Sequence, residues 1–187
     1  MSFVSAREQT LILDLLLGRI SEHAFYAAYP IAGTVARDVG VTMLRRALAE
    51  HDGVAVEFGL YLGHRFGITD DYSDVLNELA DAPWHKRHED VIMGLAKLRS
   101  ASSVDALFRA GLAKHDYLSF DERFALARKA VHALSAIQTR EAIDRLGAIL
   151  LQGNDVVKSY AQKELARVAN AGTSEAVRAE AKRLLNT

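Results

Sequence analysis

Cysteine is absent from the 187 residues. That excludes disulfides, thiolate nucleophiles and cysteine-ligated zinc, and it fits a reducing cytoplasm, the expected location. Proline occurs only at Pro30 and Pro83, so long helices run without the breaks that proline imposes. Tryptophan occurs once, at Trp84. No apolar run reaches the roughly 18 residues that would mark a membrane span. The N-terminal stretch Leu11 to Leu17 is interrupted by Asp14, preceded by Arg7 and Glu8, and followed by no small-residue cleavage site. It reads as an amphipathic first helix rather than a signal peptide. There is also no G-x-S-x-G and no phosphate-cradling glycine loop.

What remains is a chain that is 50% hydrophobic. Ala, Leu, Arg and Glu dominate and β-branched runs are short, so the fold class is all-α. The formal net charge of −1 hides a division. Residues 1–93 hold 8 Lys/Arg against 14 Asp/Glu, a net of −6, and residues 94–187 hold 15 against 10, a net of +5. Such polarity steers a charged partner or simply reflects solvated helix faces.

One segment recurs in the second half: GLAKLRSASSVDALFRA from Gly94, ALSAIQTREAIDRLGAI from Ala133, and ELARVANAGTSEAVRAEAKRL from Glu164. Each copy ends one apolar helix, breaks over small polar residues, and starts another. Leu95, Leu134 and Leu165 hold the same place, 39 and then 31 residues apart. Periods of this length mark stacked helical pairs. The reading is a single α-solenoid domain over 1–187, less regular over 1–67, with repeats and a C-terminal cap over 68–187.

Helices are expected from Ser5 to Leu17 with Gly18 as stop, from Ser21 to Tyr29 with Pro30 as stop, and, after a loop at 31–34, from Val35 to Glu50. Others are expected over Asp52–Phe66, Tyr72–Ala82, Lys86–Arg99 and, capped by Ser102 or Ser103, on to His115. The remaining four follow caps at Asp121 or Ser119, Thr139, Asn154 and Gly172–Thr173. Phe124, Ala127, Ala130, Val131, Leu134 and Ile137 recur at three- and four-residue steps, as do Ala142, Ile143, Leu146, Ile149 and Leu150. These are expected to be buried seams, with alanine allowing close helix approach. The last helix, EAVRAEAKRLL, has the thin apolar face of a cap.

The Ser/Thr starts at Ser103, Thr139 and Thr173, the Ala-Val/Ile-Leu spacing after them, and alanine-rich stretches such as ALARKAVHALSAI resemble HEAT repeats of the short bacterial kind, over about Tyr72 to Leu185. WHKRHED at Trp84–Asp90, DYLSFDERFALARKAVHAL from Asp116 and FGLYLGHRFG at Phe58–Gly67 look like a group of small bacterial HEAT-like proteins. Many of these sit beside secreted toxins, and some are regarded as immunity proteins. The resemblance implies a right-handed solenoid of helical hairpins that binds protein.

Three constellations are candidates for chemistry. His85 and His88 lie three apart at an expected helix start, with Glu89 after them. Zinc takes such ligands, but H-x-x-H-E is neither H-E-x-x-H nor H-x-x-E-H. Glu89 and Asp90 also suit a first helical turn, where negative charge meets the dipole. Asp70 and Asp71 open an acidic stripe that Asp74, Glu78 and Asp81 continue at helical spacing. It is either a solvated face or a contact for a basic surface such as that of a nuclease. Tyr117, Asp121 and Glu122 lie in the one enlarged loop of the array, and Trp84 and Tyr117 are expected on neighbouring turns of one edge, as interface anchors or as rings packed under loops. Arg123, Arg128, Lys129, Arg140 and Arg145 make the later repeats basic, yet without the aromatic interleaving of strand-binding proteins.

The reading is a non-enzymatic protein-binding module: an immunity protein that holds one cognate, basic, nuclease-like toxin as a monomer in a 1:1 complex. It calls for no catalytic residue, metal or cofactor, disfavours nucleic acid, and places no part in a membrane. The alternatives are a HEAT-repeat DNA-binding or DNA glycosylase-like protein and a general scaffold.

Overall fold

The structure is a computed structural model that describes residues 2–29 and 38–186. Among the described residues are eleven α-helices and short 3-10 turns, and no strand. The fold is all-α. The expected loop at 31–34, the stop at Pro30 and the helix start at Val35 lie outside the described residues. The chain divides into two compact units: one comprises 2–75 and Trp84–Arg87, the other Leu76–Pro83 and His88 onward.

In the first unit, α1 (Ala6–Leu16) starts in a capping box. The Ser5 hydroxyl accepts the Glu8 N–H and the Glu8 carboxylate accepts the Ser5 N–H, so two donors that the helix leaves orphaned are satisfied. Gly18 follows at φ +69°, the left-handed turn expected of it. α2 (Glu22–Ala28) is capped by Ser21 and buries Phe25, which stacks on Tyr29 at 4.9 Å between ring centroids. α3 (Val39–Glu50) and α4 (Gly53–Phe66) pack as a close pair. Their approach depends on glycine: a Cβ on Gly40 would sit 2.5 Å from the Tyr72 hydroxyl and 2.7 Å from the Gly63 nitrogen. The Asp52 side chain caps α4 through the N–H groups of Val54 and Ala55 and also accepts the Phe3 N–H at 2.8 Å, anchoring the N-terminal segment.

Boundaries moved where tertiary bonds compete with helical ones. The helix expected over Tyr72–Ala82 is α5 (Ser73–Leu79), entered through a 3-10 turn, Asp70–Tyr72, that tucks the Tyr72 ring into the core. It stops early because Pro83 disfavours helical geometry at Ala82. The helix expected from Lys86 begins only at His88, as α6 (His88–Leu98). Here the Arg87 N–H bonds to His85 Nδ1 at 3.0 Å instead of entering a helix.

In the second unit, α7 (Val104–Leu112) follows a 3-10 turn, Ala101–Ser103. That turn is capped by Ser100, and Ser103 makes no side-chain cap. α8 (Ala125–Ile137), α9 (Arg140–Gln152), α10 (Asp155–Ala171) and α11 (Glu175–Leu185) complete it. Thr139 and Asn154 cap α9 and α10 as expected, and Ser174 rather than Thr173 caps α11. α6, α8 and α10 form one layer, and α7, α9 and α11 pack as a second against it. Within a layer the helices run parallel, since Asp105 meets Arg145 near the starts of α7 and α9 while Gly111 meets Ile149 near their ends. The seams are buried at Ala130, Val131, Leu134, Ala142, Ile143, Leu146 and Ile149. Phe124 departs from expectation: it takes a left-handed conformation, φ 49°, at the head of α8, and its ring is 37% exposed instead of buried.

Candidate functional site

The WHKRHED segment is divided between the two units after Arg87. In the first unit, Trp84 is half-buried and stacks on His51, with ring centroids 5.1 Å apart and planes at 27°. His51 holds a left-handed conformation at the C-cap of α3, φ 52°, which turns its ring out of the helix and under the indole. His85 is buried, edge-on to Trp84 at 5.2 Å. Beside them the Arg87 guanidinium pairs with Glu57, which also accepts the Tyr61 hydroxyl at 2.7 Å. His51, Glu57, Trp84, His85 and Arg87 border an open groove of about 500 Å³ whose walls also include Glu50, Asp52 and Lys86. Burial acts to raise the Asp52 carboxyl, but hydrogen bonds from Ser2, Ala55, Phe3 and Val54 outweigh it and hold the group below the usual carboxylate value. The groove therefore offers one flat aromatic platform between fixed charges of both signs.

The remainder of the segment has internal work. His88 is fully buried in the second unit. Its Nε2 lies 2.8 Å from the Ala82 carbonyl, which only accepts, so Nε2 carries the proton and Nδ1 accepts the Tyr117 hydroxyl at 2.8 Å. The His115 ring stacks on it at 3.7 Å between centroids. His115 Nε2 is buried with no hydrogen-bond partner, and burial holds the His115 pKa below its ordinary value, against the opposing fields of Asp81 and Asp116. Glu89 pairs with Lys129 at 2.5 Å, linking α6 to α8. Asp121 accepts the N–H groups of Arg123 at 3.0 Å and Ala125 at 2.6 Å, which organises the left-handed entry to α8. Glu122 is exposed.

His85 and His88 thus do not share a helix face, and Trp84 and Tyr117 belong to different units. Asp70, Asp71 and Asp74, in the first unit, are exposed, as is Glu78. Arg45 reaches the carbonyl of Asp71 at 3.0 Å, not its carboxylate. Asp81 lies beyond the end of α5 and is engaged by Arg109 at 2.9 Å. His51, Glu57 and Arg87 line the groove but did not emerge from the sequence, because no local spacing links α3 and α4 to residues 84–87. In the second unit, His132, Tyr160, Lys163 and Glu164 were missed likewise, although Tyr160 and Glu164 stand four apart on one face. Among the described residues no three His, Asp or Glu side chains are grouped to hold a metal ion, and no helix is long and apolar enough to cross a membrane. No family model, curated protein or solved structure matches the chain.

Proposed function

We propose that the chain is a non-enzymatic binding module: a right-handed α-solenoid of HEAT-like hairpins that acts in the cytoplasm as an immunity protein, sequestering one basic protein toxin in a 1:1 complex. The observation that carries the reading is Trp84, the sole tryptophan, held against His51 at the edge of an open groove. A half-exposed, rigidly backed indole loses little conformational entropy on docking and offers a large contact area, the property of an interface anchor. Two further features support it. Asp70, Asp71 and Asp74 are exposed carboxylates with no ion pair among the described residues, suited to steering a basic partner. The alternating layers of the second unit and the parallel course of helices within each layer fit a repeat array.

The test is co-expression with the products of the genes adjacent to its own, followed by capture and titration. Trp84→Ala is expected to speed dissociation at least tenfold, whereas Asp71→Lys with Asp74→Lys slows association and flattens its salt dependence. Circular dichroism confirms that each variant is folded. Full affinity in both folded variants would sink the proposal.

A further inference from the structure

We infer that a second groove, on the paired faces of α8 and α10, is a docking site for an acidic polypeptide segment that carries a large apolar residue at one end. The inference is independent of the Trp84 groove, since every residue in it belongs to the second unit.

The groove is built by parallel helices in fixed register. At its start the Tyr160 hydroxyl donates to the Arg123 carbonyl at 2.8 Å. Further along, His132 lies 3.3 Å and Ser135 2.5 Å from the Glu164 carboxylate, and Arg167 Nη2 donates to the Ser135 hydroxyl at 2.7 Å. Between these ties lies an open volume of about 490 Å³ floored by Val131 and Tyr160 and edged by Arg128, Lys129 and Lys163.

Its charge is unbalanced. Glu164, the carboxylate within it, is already engaged by Ser135, Arg167 and His132. Burial acts to raise this carboxyl, yet those hydrogen bonds prevail and hold its pKa below the usual value, so it stays ionised and committed. Lys129 is taken by Glu89. Arg128 and Lys163 have no ion pair among the described residues, and both are exposed. Two uncompensated cations edging an apolar floor attract carboxylates.

The apolar end lies at the helix starts. Val156, Tyr160 and Glu164 succeed one another at four-residue steps on α10, and Arg128 and His132 do so on α8. Val156 continues the α10 wall one turn toward the helix start, Phe124 follows directly after Arg123, whose carbonyl takes the Tyr160 hydroxyl, and each is 37% exposed. Phe120, in the loop leading to α8, is 81% exposed. The left-handed conformation that presents Phe124 is fixed by the Asp121 carboxylate. The site thus has an apolar mouth and a cationic run. Nucleic acid fits it less well, because the ionised Glu164 would face phosphates and the exposed apolar mouth would meet none of their chemistry.

The experiment is fluorescence anisotropy on the full chain with a labelled peptide of about 13 residues, matching the length of α8. The peptide bears Phe and Leu at one end and Glu and Asp along the rest. A scrambled peptide of the same composition and a single-stranded oligonucleotide of similar length serve as comparators. Salt-sensitive binding at least tenfold tighter than that of the scrambled peptide is expected, reduced about tenfold by Arg128→Glu with Lys163→Glu and severalfold by Phe124→Ser. All three positions are exposed, so the fold should survive, which circular dichroism checks. Absent binding, equal binding of the scrambled peptide, tighter binding of the oligonucleotide, or binding indifferent to charge reversal would each overturn the inference. Trp84→Ala leaves this peptide binding unchanged, so the two surfaces fail or stand separately.

Discussion

Replacing His88 by alanine is expected to weaken the second unit's core and leave Trp84-dependent partner capture intact. The imidazole is 0% exposed and fills the space between the Ala82 carbonyl, the Tyr117 hydroxyl and the His115 ring. Truncating a buried aromatic ring to alanine costs about 3–5 kcal/mol for Phe or Trp, and the smaller imidazole about 2–3. The Ala82 carbonyl then loses its donor, adding about 1 kcal/mol, whereas the half-buried Tyr117 hydroxyl can turn to water. The total is about 3–4 kcal/mol, which lowers Tm by roughly 6–16 °C in a protein of this size. Tyr117→Phe removes the hydrogen bond to His88 Nδ1, a loss of about 1 kcal/mol. In the Tyr117→Phe background, His88→Ala is expected to cost about 1 kcal/mol less than in the parent chain, because their shared bond is already gone. Denaturant titration followed by far-ultraviolet circular dichroism measures all four corners of this cycle. Trp84 fluorescence reports the first unit separately, since it is the only tryptophan. A loss below about 1 kcal/mol for His88→Ala, or lost capture at unchanged stability, would refute the structural assignment of this histidine.

Three other outcomes follow from the geometry. The His115 pKa is depressed in the folded chain, so the unfolded chain binds protons first; stability is expected to fall as pH drops through about 6.5, and His115→Gln to flatten that dependence in denaturant midpoints at pH 7.5 and 5.5. Glu164 has the opposite linkage: its lowered pKa contributes stability above the ordinary carboxylate value that is lost as pH falls below it, and Glu164→Gln should cost about 1 kcal/mol at neutral pH and nothing at strongly acid pH. Gly40→Ala drives a methyl against the Gly63 nitrogen and the Gly59 carbonyl, at 2.7 and 2.9 Å, so the α3–α4 pair must part; a loss of about 2–3 kcal/mol is expected in thermal unfolding. A shift under 0.5 kcal/mol would mean the pair is not closely packed there.

Helix type and most helix ends were legible because their signals are local. Ser21, Asp52, Thr139 and Asn154 each satisfy orphan N–H groups within a few residues of themselves, and Gly18 supplies a left-handed turn. Ends went astray where the competing bond came from elsewhere or from the approach of Pro83. His85 takes the Arg87 N–H, and the burial of Tyr72 tightens the entry to α5. Candidate residues were legible as chemistry and not as position. The pattern that placed His85 and His88 on one helix face is broken because α6 begins only at His88, where the second unit resumes, and His85 stands outside it. The partners that give Trp84 its setting, His51 and Glu57, lie far back in the chain, at a separation that no periodicity reports. Asp121 was singled out both as a cap and as a contact, and it is the capping carboxylate that shapes the loop.

The most direct measurement is the affinity of the purified chain for the basic proteins among the products of adjacent genes, in parent, Trp84→Ala and Asp71→Lys/Asp74→Lys forms. The account predicts a stoichiometric complex of nanomolar strength that both folded variants lose by an order of magnitude or more. A partner held equally well by all three forms, or no complex with any such protein, would contradict it.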